Sequence, residues 1–129
     1  MILVDSSVWI DSFKSHSGPA GVELRRMIEE SEPFVLTGIV IAEVLQGLTR
    51  DAAHIERFLA QWDLIEPKGF ETYRRAASVY REARAKGITL STIDTLIASI
   101  ALDHRASVFT LDQDFTRLAR LTKLKLYAF

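Results

Sequence analysis

Short apolar runs that alternate with amphipathic stretches are the feature that most constrains this chain. Residues 1–4 and 107–110 are too short for helices and are rich in branched and aromatic residues, which is typical of buried strands. The stretches between such runs have apolar residues at three- and four-residue spacing, which is typical of helices. Strands separated by helices favour parallel pairing. We therefore predict an α/β fold with a central, mostly parallel sheet of about four to five short strands, flanked by helices.

The predicted elements form a single domain over residues 1–129, because a chain of 129 residues has the length of one domain. The four predicted strands are 1–4, 34–37, 107–110 and 124–129, and 64–67 is either a linker or a weak edge strand. The predicted helices lie at about 8–13, 22–31, 38–48, 51–62, 70–86, 92–104 and 114–121.

Composition excludes several functional classes. The chain has no cysteine, which excludes thiol catalysis, disulfides, Cys-ligated zinc and iron–sulfur clusters. No run approaches the roughly eighteen apolar residues of a membrane span, and Met1–Asp5 lacks the basic region of a signal peptide. We expect a cytoplasmic protein that contacts no membrane.

The net charge of −1 conceals an asymmetry between the two halves of the chain. Residues 1–66 hold five basic and eleven acidic residues, a net charge of −6, whereas residues 67–129 hold eleven and six, a net charge of +5. Such an asymmetry indicates a partner for one half, or a site that uses both signs of charge. Ordinary solvated helix faces are the alternative.

Acidic residues from separate segments are predicted to meet at one edge of the sheet, because ligands bind at the carboxyl ends of the strands in an open α/β sheet. Each acid also has a structural interpretation, as a helix cap, as a first-turn acid or as a solvent-facing residue. Asp5 follows the first predicted strand, and Asp112 and Asp114 follow the third strand, 107–110. Glu43 lies in the second turn of the helix that follows the second strand, and Asp94 lies in the first turn of the helix that precedes the third strand.

The surroundings of two of these acids favour a metal site. Asp94 and Glu43 each lie in a nearly all-apolar helical segment, where a carboxylate needs a hydrogen-bonding partner or a cation. Converging carboxylates take up protons when no cation compensates them. The segments around Asp5, Glu43 and Asp94 contain no Lys or Arg, so we infer an external cation. Because the candidate ligands are carboxylates, whose oxygens are hard donors, Mg²⁺ or Mn²⁺ is favoured over Zn²⁺ and Ca²⁺.

Four sequence blocks carry these acids in a distinctive order. They are Asp5-Ser6-Ser7-Val8-Trp9-Ile10, Ile41-Ala42-Glu43-Val44-Leu45-Gln46-Gly47, Asp94-Thr95-Leu96-Ile97-Ala98 and Thr110-Leu111-Asp112-Gln113-Asp114-Phe115. In order, spacing and total length the chain resembles the PIN-domain family, and specifically the VapC-type toxin ribonucleases of bacterial toxin–antitoxin pairs. One block alone would be a weak signal, whereas four in sequence are a specific one.

The resemblance implies a PIN-like three-layer domain with the activity of an endoribonuclease that depends on one or two Mg²⁺ or Mn²⁺ ions. It also implies a homodimer, an RNA substrate and a cognate VapB-type antitoxin whose C-terminal tail covers the site. The residues implied for catalysis and metal binding are Asp5, Glu43, Asp94 and Asp112, with Asp114 as a further metal ligand and Ser6 and Thr110 as accessory hydroxyls.

Basic and apolar surfaces each have two interpretations. Basic residues of the second half hold the phosphates that flank the scissile one, or they form a solvated helix face. Large apolar residues in 8–13, 24–28 and 55–62 form a groove for an antitoxin helix, or they pack in the core. The basic residues concerned are Arg74, Arg75, Arg81, Arg84 and Lys86, and also Arg117, Arg120, Lys123 and Lys125.

Other functions fit parts of the pattern. A housekeeping PIN nuclease for RNA processing would need the same acids, whereas a non-catalytic RNA- or protein-binding module has no need of four acids in apolar surroundings. A phosphoacceptor signalling domain is disfavoured because Ser6 and Ser7, and no second acid, follow Asp5. The serine at position 7 equally disfavours a phosphatase with an Asp-x-Asp nucleophile.

Overall fold

The helices and the first, third and last of the predicted strands follow one another along the chain in the predicted order. The computed structural model describes all of residues 1–129. The elements are β1 (Ile2–Val4), α1 (Ser6–Phe13), α2 (Pro19–Glu29), α3 (Gly38–Gln46), α4 (Ala52–Leu59), α5 (Phe70–Ala85), α6 (Thr92–His104), β2 (Ser107–Phe109), α7 (Gln113–Leu121) and β3 (Lys125–Leu126).

Three parallel strands form the centre of the fold, in the order β1-β2-β3. Leu3 and Val4 are adjacent in β1 and point to opposite faces of the sheet, and both are fully buried. The same holds for Val108 and Phe109 in β2. Both faces of the sheet are therefore covered by helices, and the predicted α/β architecture is confirmed.

The sheet has fewer full strands than the four to five predicted. Segments 34–37 and 64–67 contribute single parallel bridges, Leu3 to Val35 and Leu36 to Leu64, which extend the sheet beyond β1. Pairing stops after Leu36 because the next residue, Thr37, leaves the sheet and caps α3, its Oγ1 accepting a hydrogen bond from the Ile39 N–H at 3.1 Å.

The last predicted strand, 124–129, is reduced to the two residues of β3. The Tyr127 N–H still donates to the carbonyl of Val108 at 2.9 Å. Beyond it, the rings of Tyr127 and Phe129 pack on Phe109 with centroids 4.8 and 4.9 Å apart. Side-chain packing thus replaces the hydrogen-bond ladder at the end of the chain.

A buried carboxylate joins α1 to α2. Asp11, which is 7% exposed, accepts hydrogen bonds from the N–H groups of Gly18 at 3.2 Å and Gly21 at 2.8 Å. These bonds are the main reason why the pKa of Asp11 is lowered. A Cβ at Gly21 would lie 2.9 Å from the backbone of Asp11 and Ser12. The close approach of the two helices therefore requires glycine at this position.

The aromatic residues of α1 and α4 pack mainly into the core. Trp9 is fully buried, and its ring lies 5.8, 6.2 and 5.2 Å from the rings of Phe34, Phe58 and Trp62. Trp9 therefore belongs to the core, while Phe13 remains 36% exposed at the edge of the cluster. None of the helices has the length and apolar character needed to cross a membrane.

Candidate metal centre

The junction of β1 and α1 buries and orients Asp5, which is 4% exposed. Asp5 occupies the N-cap position of α1, yet its carboxylate makes no capping hydrogen bond. Its Oδ2 instead accepts hydrogen bonds from Ser7 Oγ at 2.8 Å and from Thr110 Oγ1 at 2.9 Å. Asp5 therefore stands at the N-cap position without capping the helix through its side chain. Oδ1 has no hydrogen-bond donor within the chain and remains available for a ligand.

Two hydroxyls connect Asp5 to the loop that follows β2. Ser7 Oγ accepts a hydrogen bond from the Leu111 N–H at 3.0 Å, and Thr110 Oγ1 accepts one from the Asp112 N–H at 3.0 Å. A hydroxyl has a single proton, and in both residues that proton is directed to Asp5. The position of Asp5 is thereby tied to the loop that carries Asp112. Ser7 was not predicted as a residue of the site from the sequence, where it served only to disfavour other functions.

Three further acids meet beside this network. Ser91 caps α6 by accepting a hydrogen bond from the Asp94 N–H at 3.0 Å, and Asp112 caps α7 by accepting one from the Asp114 N–H at 2.9 Å. The two caps place the acids at the first turns of their helices. One carboxylate oxygen each of Asp94, Asp112 and Asp114 lies within 4.8 Å of the other two. Acids from the two predicted segments around 94 and 112 are thus brought together.

Glu43 approaches the same site from α3. Its Oε1 accepts a hydrogen bond from Ser6 Oγ at 3.3 Å. Burial raises the pKa of Glu43, the negative charges of Asp5 and Asp112 raise it further, and the bond from Ser6 opposes the change. Since the charges of Asp5 and Asp112 both change the pKa of Glu43, Glu43 belongs to the same electrostatic site. Its oxygens lie outside the tight group formed by Asp94, Asp112 and Asp114.

Asp94 is the most strongly perturbed acid of the site. Burial raises its pKa from the ordinary value of 3.8 to about 6, and the negative charges of Asp112, Asp5 and Asp114 contribute to the rise. Hydrogen bonding to Ser91 counteracts this effect only in part. Without a cation, Asp94 thus keeps its proton up to about pH 6, as expected for a carboxyl among converging carboxylates.

This raised pKa predicts how the metal-free protein responds to pH. A carboxyl with a pKa of about 6 in the folded state and 3.8 otherwise stabilises the fold when it is protonated, and that contribution is lost as pH rises through 6. We expect Asp94→Asn to be more stable than the wild type by about 1 to 2 kcal/mol at pH 7.5 in chelator, after allowance for solvent screening, and nearly equal at pH 4.

Urea unfolding of both proteins at the two pH values measures this difference. The comparison with Asp94→Asn isolates the Asp94 carboxyl, because other acids with lowered pKa values, such as Asp11 and Asp103, contribute equally to both proteins. An equal stability of the two proteins at pH 7.5 would contradict the raised pKa of Asp94.

The donor set fits a hard divalent cation. Among the five acids only Asp114 has a basic partner within 4.0 Å, namely Arg117 at 2.6 Å. All of the donors are oxygens, and no histidine belongs to the tight group. His104 lies at the other end of α6, where its Nε2 contacts the Glu66 carbonyl. A concentration of carboxylates that are mostly without basic partners, and of which Glu43 and Asp94 have raised pKa values, suits a hard divalent cation.

The basic residues predicted to contact RNA divide into two groups. Arg75 pairs with Asp103 at 2.5 Å near the C-terminal end of α6, and Arg74 pairs with Glu71 at 2.9 Å. Asp103 is about 13 Å along the helix from Asp94. Arg81 and Arg84, in the second half of α5, are exposed and have no acidic partner. Lys86 pairs with Glu82 at 3.5 Å.

Comparison with known proteins agrees with this fold. The PIN domain family model matches residues 2–121. The VapC ribonuclease Mb1587 of Mycobacterium bovis and the ribonuclease VapC11 of Mycobacterium tuberculosis are each 35% identical to the chain over 133 aligned positions, which cover 100% of this chain and 99% of theirs.

Solved structures reproduce the fold at lower sequence identity. VapBC2 from Rickettsia felis, solved bound to a fragment of its promoter DNA, has a TM-score of 0.76 at 19% identity and covers 100% of this chain and 99% of its own. The sarcin–ricin loop cleaving toxin VapC20 of Mycobacterium tuberculosis has a TM-score of 0.66 at 14% identity over 92% and 95%. The chain belongs to the PIN-domain family, within which its full-length relatives are VapC ribonucleases.

Proposed function

We propose that this protein is an endoribonuclease that depends on Mg²⁺ or Mn²⁺ and acts as the toxin of a VapBC-type toxin–antitoxin pair. The observation that supports this most directly is a group of acids in a PIN fold, in which Asp94, Asp112 and Asp114 have carboxylate oxygens within 4.8 Å of one another. Asp5 and Glu43 are coupled to this group electrostatically, because the charge of Asp5 raises the pKa values of both Glu43 and Asp94. The full-length relatives named as VapC ribonucleases support the same reading.

Asp5 and Asp94 are the proposed principal ligands of one or two ions. Asp5 offers Oδ1, because its Oδ2 is occupied by Ser7 and Thr110, and Asp94 offers a carboxylate that is costly to ionise without a cation. Glu43 and Asp112 bind the ion directly or orient water at it. A divalent ion held by these residues would supply a water of lowered pKa for the attack and positive charge beside the phosphoryl oxygens. Hydrolysis of this kind leaves a 5′-phosphate and a 3′-hydroxyl.

The accessory hydroxyls act through the carboxylates in this proposal. Ser6 donates to Glu43 and Thr110 donates to Asp5, so each fixes the orientation of an acid. Side chains that donate hydrogen bonds to metal ligands in this way hold the ligands in the orientation that metal binding requires. RNA is proposed to reach the site over exposed basic residues, of which Arg81 and Arg84 have no acidic partner.

A VapB-type antitoxin and a second copy of the chain are the proposed protein partners. Solved complexes of VapC-fold proteins with their antitoxins, such as VapBC2 of Rickettsia felis, support the first. Apolar side chains at the surface of α1 and α2, including Ile10 at 45% and Val22 at 55% exposure, offer area for an apolar contact.

The test is to incubate the purified protein with total RNA in Mg²⁺, in Mn²⁺ and in chelator, and to map the ends that appear. We expect discrete cuts with 5′-phosphate ends only when a divalent ion is present. Cleavage that persists in chelator would contradict the metal-dependent site. Growth arrest on expression, relieved by co-expression of the antitoxin gene, separates a toxin from a housekeeping nuclease, and intact RNA under all conditions indicates a binding module.

A further inference from the structure

Arg117 is the one basic side chain in contact with the acids of the site. Its Nη1 lies 2.6 Å from Asp114 Oδ1, and Asp114 has a carboxylate oxygen within 4.8 Å of those of Asp94 and Asp112. The guanidinium group therefore lies at the rim of the acidic cluster. An RNA backbone bound with one phosphate at the cluster would bring a neighbouring phosphate past this rim.

The pair between Arg117 and Asp114 contributes little to folding. The two residues are three positions apart on α7, with side chains that are 45% and 30% exposed. Exposed helix pairs of this spacing contribute only a small part of the stability of a fold. Stabilisation of α7 is therefore a weak explanation for the position of the Arg117 guanidinium group against Asp114.

The surface around Arg117 suits the oxygens of a phosphate. Gln113, Thr116, Arg117 and Arg120 lie along one face of α7 and line a cavity of about 280 Å³ that contains no hydrophobic residue. Every one of these side chains carries a hydrogen-bond donor. Arginine has five N–H donors in a planar fork, and the contact with Asp114 leaves most of them free for an anion.

We propose that Arg117 binds the RNA phosphate next to the scissile one, and that Asp114 is a positioning residue that holds the guanidinium group in place and is not a metal ligand. Asp112 then supplies the metal ligand from this loop. The proposal rests on the proposed ribonuclease function and assigns Asp114 a different role from the metal ligation that the family resemblance implied for it.

The first test measures RNA binding in the Asp94→Asn background without divalent metal, where no cleavage interferes. A fluorescent single-stranded RNA oligonucleotide is titrated at several salt concentrations. We expect Arg117→Gln to weaken binding about tenfold and to reduce the slope of log affinity against log salt by about one, with partial recovery in Arg117→Lys. Arg105→Asn removes a charge at the far end of α6, at a position of φ 55° that asparagine tolerates, and is expected to bind RNA unchanged.

The second test measures Mn²⁺ binding by calorimetry without RNA. We expect the Mn²⁺ affinity of Asp114→Asn to stay within about threefold of that of the wild type. Asp114→Asn is also expected to weaken RNA binding less than Arg117→Gln does, as for a residue that acts through another.

Two outcomes would overturn the proposal. One is an unchanged RNA affinity and salt slope in Arg117→Gln, and the other is a loss of Mn²⁺ binding in Asp114→Asn as severe as in Asp94→Asn. A wild type that binds RNA but never cleaves it refutes the ribonuclease function and leaves the Arg117 comparison interpretable.

Discussion

Replacement of Asp94 by asparagine is expected to reduce the single-turnover rate of RNA cleavage by at least about a thousandfold. The reason is the loss of a proposed principal metal ligand, whose contribution of about 4 kcal/mol would correspond to that factor. Asparagine keeps the shape of the side chain and removes only the charge, so the fold is retained. Asp5→Asn is expected to cause a loss of the same order, because Asp5 is buried beside the same cluster.

A matched control separates the site from a general effect of charge. Asp51→Asn removes an exposed carboxylate at a left-handed position with φ 61°, which asparagine also accepts. We expect this variant to cleave RNA at the rate of the wild type. Raised stability of Asp94→Asn in chelator at pH 7.5, together with lost cleavage, excludes unfolding as the cause. Cleavage by Asp94→Asn at the rate of Asp51→Asn would remove Asp94 from the catalytic site.

Loss of the two hydroxyls that hold Asp5 is expected to have the next largest effect. Ser7→Ala and Thr110→Val each remove one donor to Asp5 Oδ2 and are expected to reduce both cleavage and Mn²⁺ affinity about 10- to 100-fold, as is typical of partners that orient metal ligands. Ser7→Ala also leaves the Leu111 N–H without its acceptor. Thr110→Ser keeps the hydroxyl and is expected to remain within about threefold of the wild type.

Combining the two substitutions tests whether the hydroxyls form one network. Ser7 and Thr110 donate to the same oxygen, and their hydroxyls lie 3.4 Å apart, so the effects are expected to be non-additive in a double-mutant cycle. Cleavage and Mn²⁺ affinity that are unchanged in Ser7→Ala would show that the orientation of Asp5 does not depend on this network.

The sequence predicted the fold class and the meeting of the acids because both follow from local patterns. The all-branched run before Asp5 and the apolar helix around Asp94 each indicate an element, and parallel topology then places the acids at one edge. Strand ends were less predictable. Thr37 leaves the sheet to cap α3, and Phe129 packs its ring on Phe109 instead of forming strand hydrogen bonds. Neither preference is visible in the pattern of apolar residues.

Contacts between distant segments were beyond prediction from the sequence. Ser7 meets Leu111 only through the pairing of β1 with β2, so its role had no local signal. The register of α5 against α6 places Arg75 on Asp103, and no spacing rule gives that register. The pair of Asp114 and Arg117, by contrast, has the i,i+3 spacing that helical geometry brings together.

The central claim is that the carboxylates of Asp5, Glu43, Asp94 and Asp112 form one divalent metal site. Thermal unfolding with and without Mn²⁺ at pH 7.5 tests this claim most directly. The wild type is expected to gain about 2.7 kcal/mol of stability when free Mn²⁺ is about a hundredfold above its dissociation constant. Asp94→Asn, which lacks a proposed principal ligand, is expected to gain much less at the same concentration. A gain in Asp94→Asn equal to that of the wild type, or no gain in the wild type at any Mn²⁺ concentration, would contradict the account.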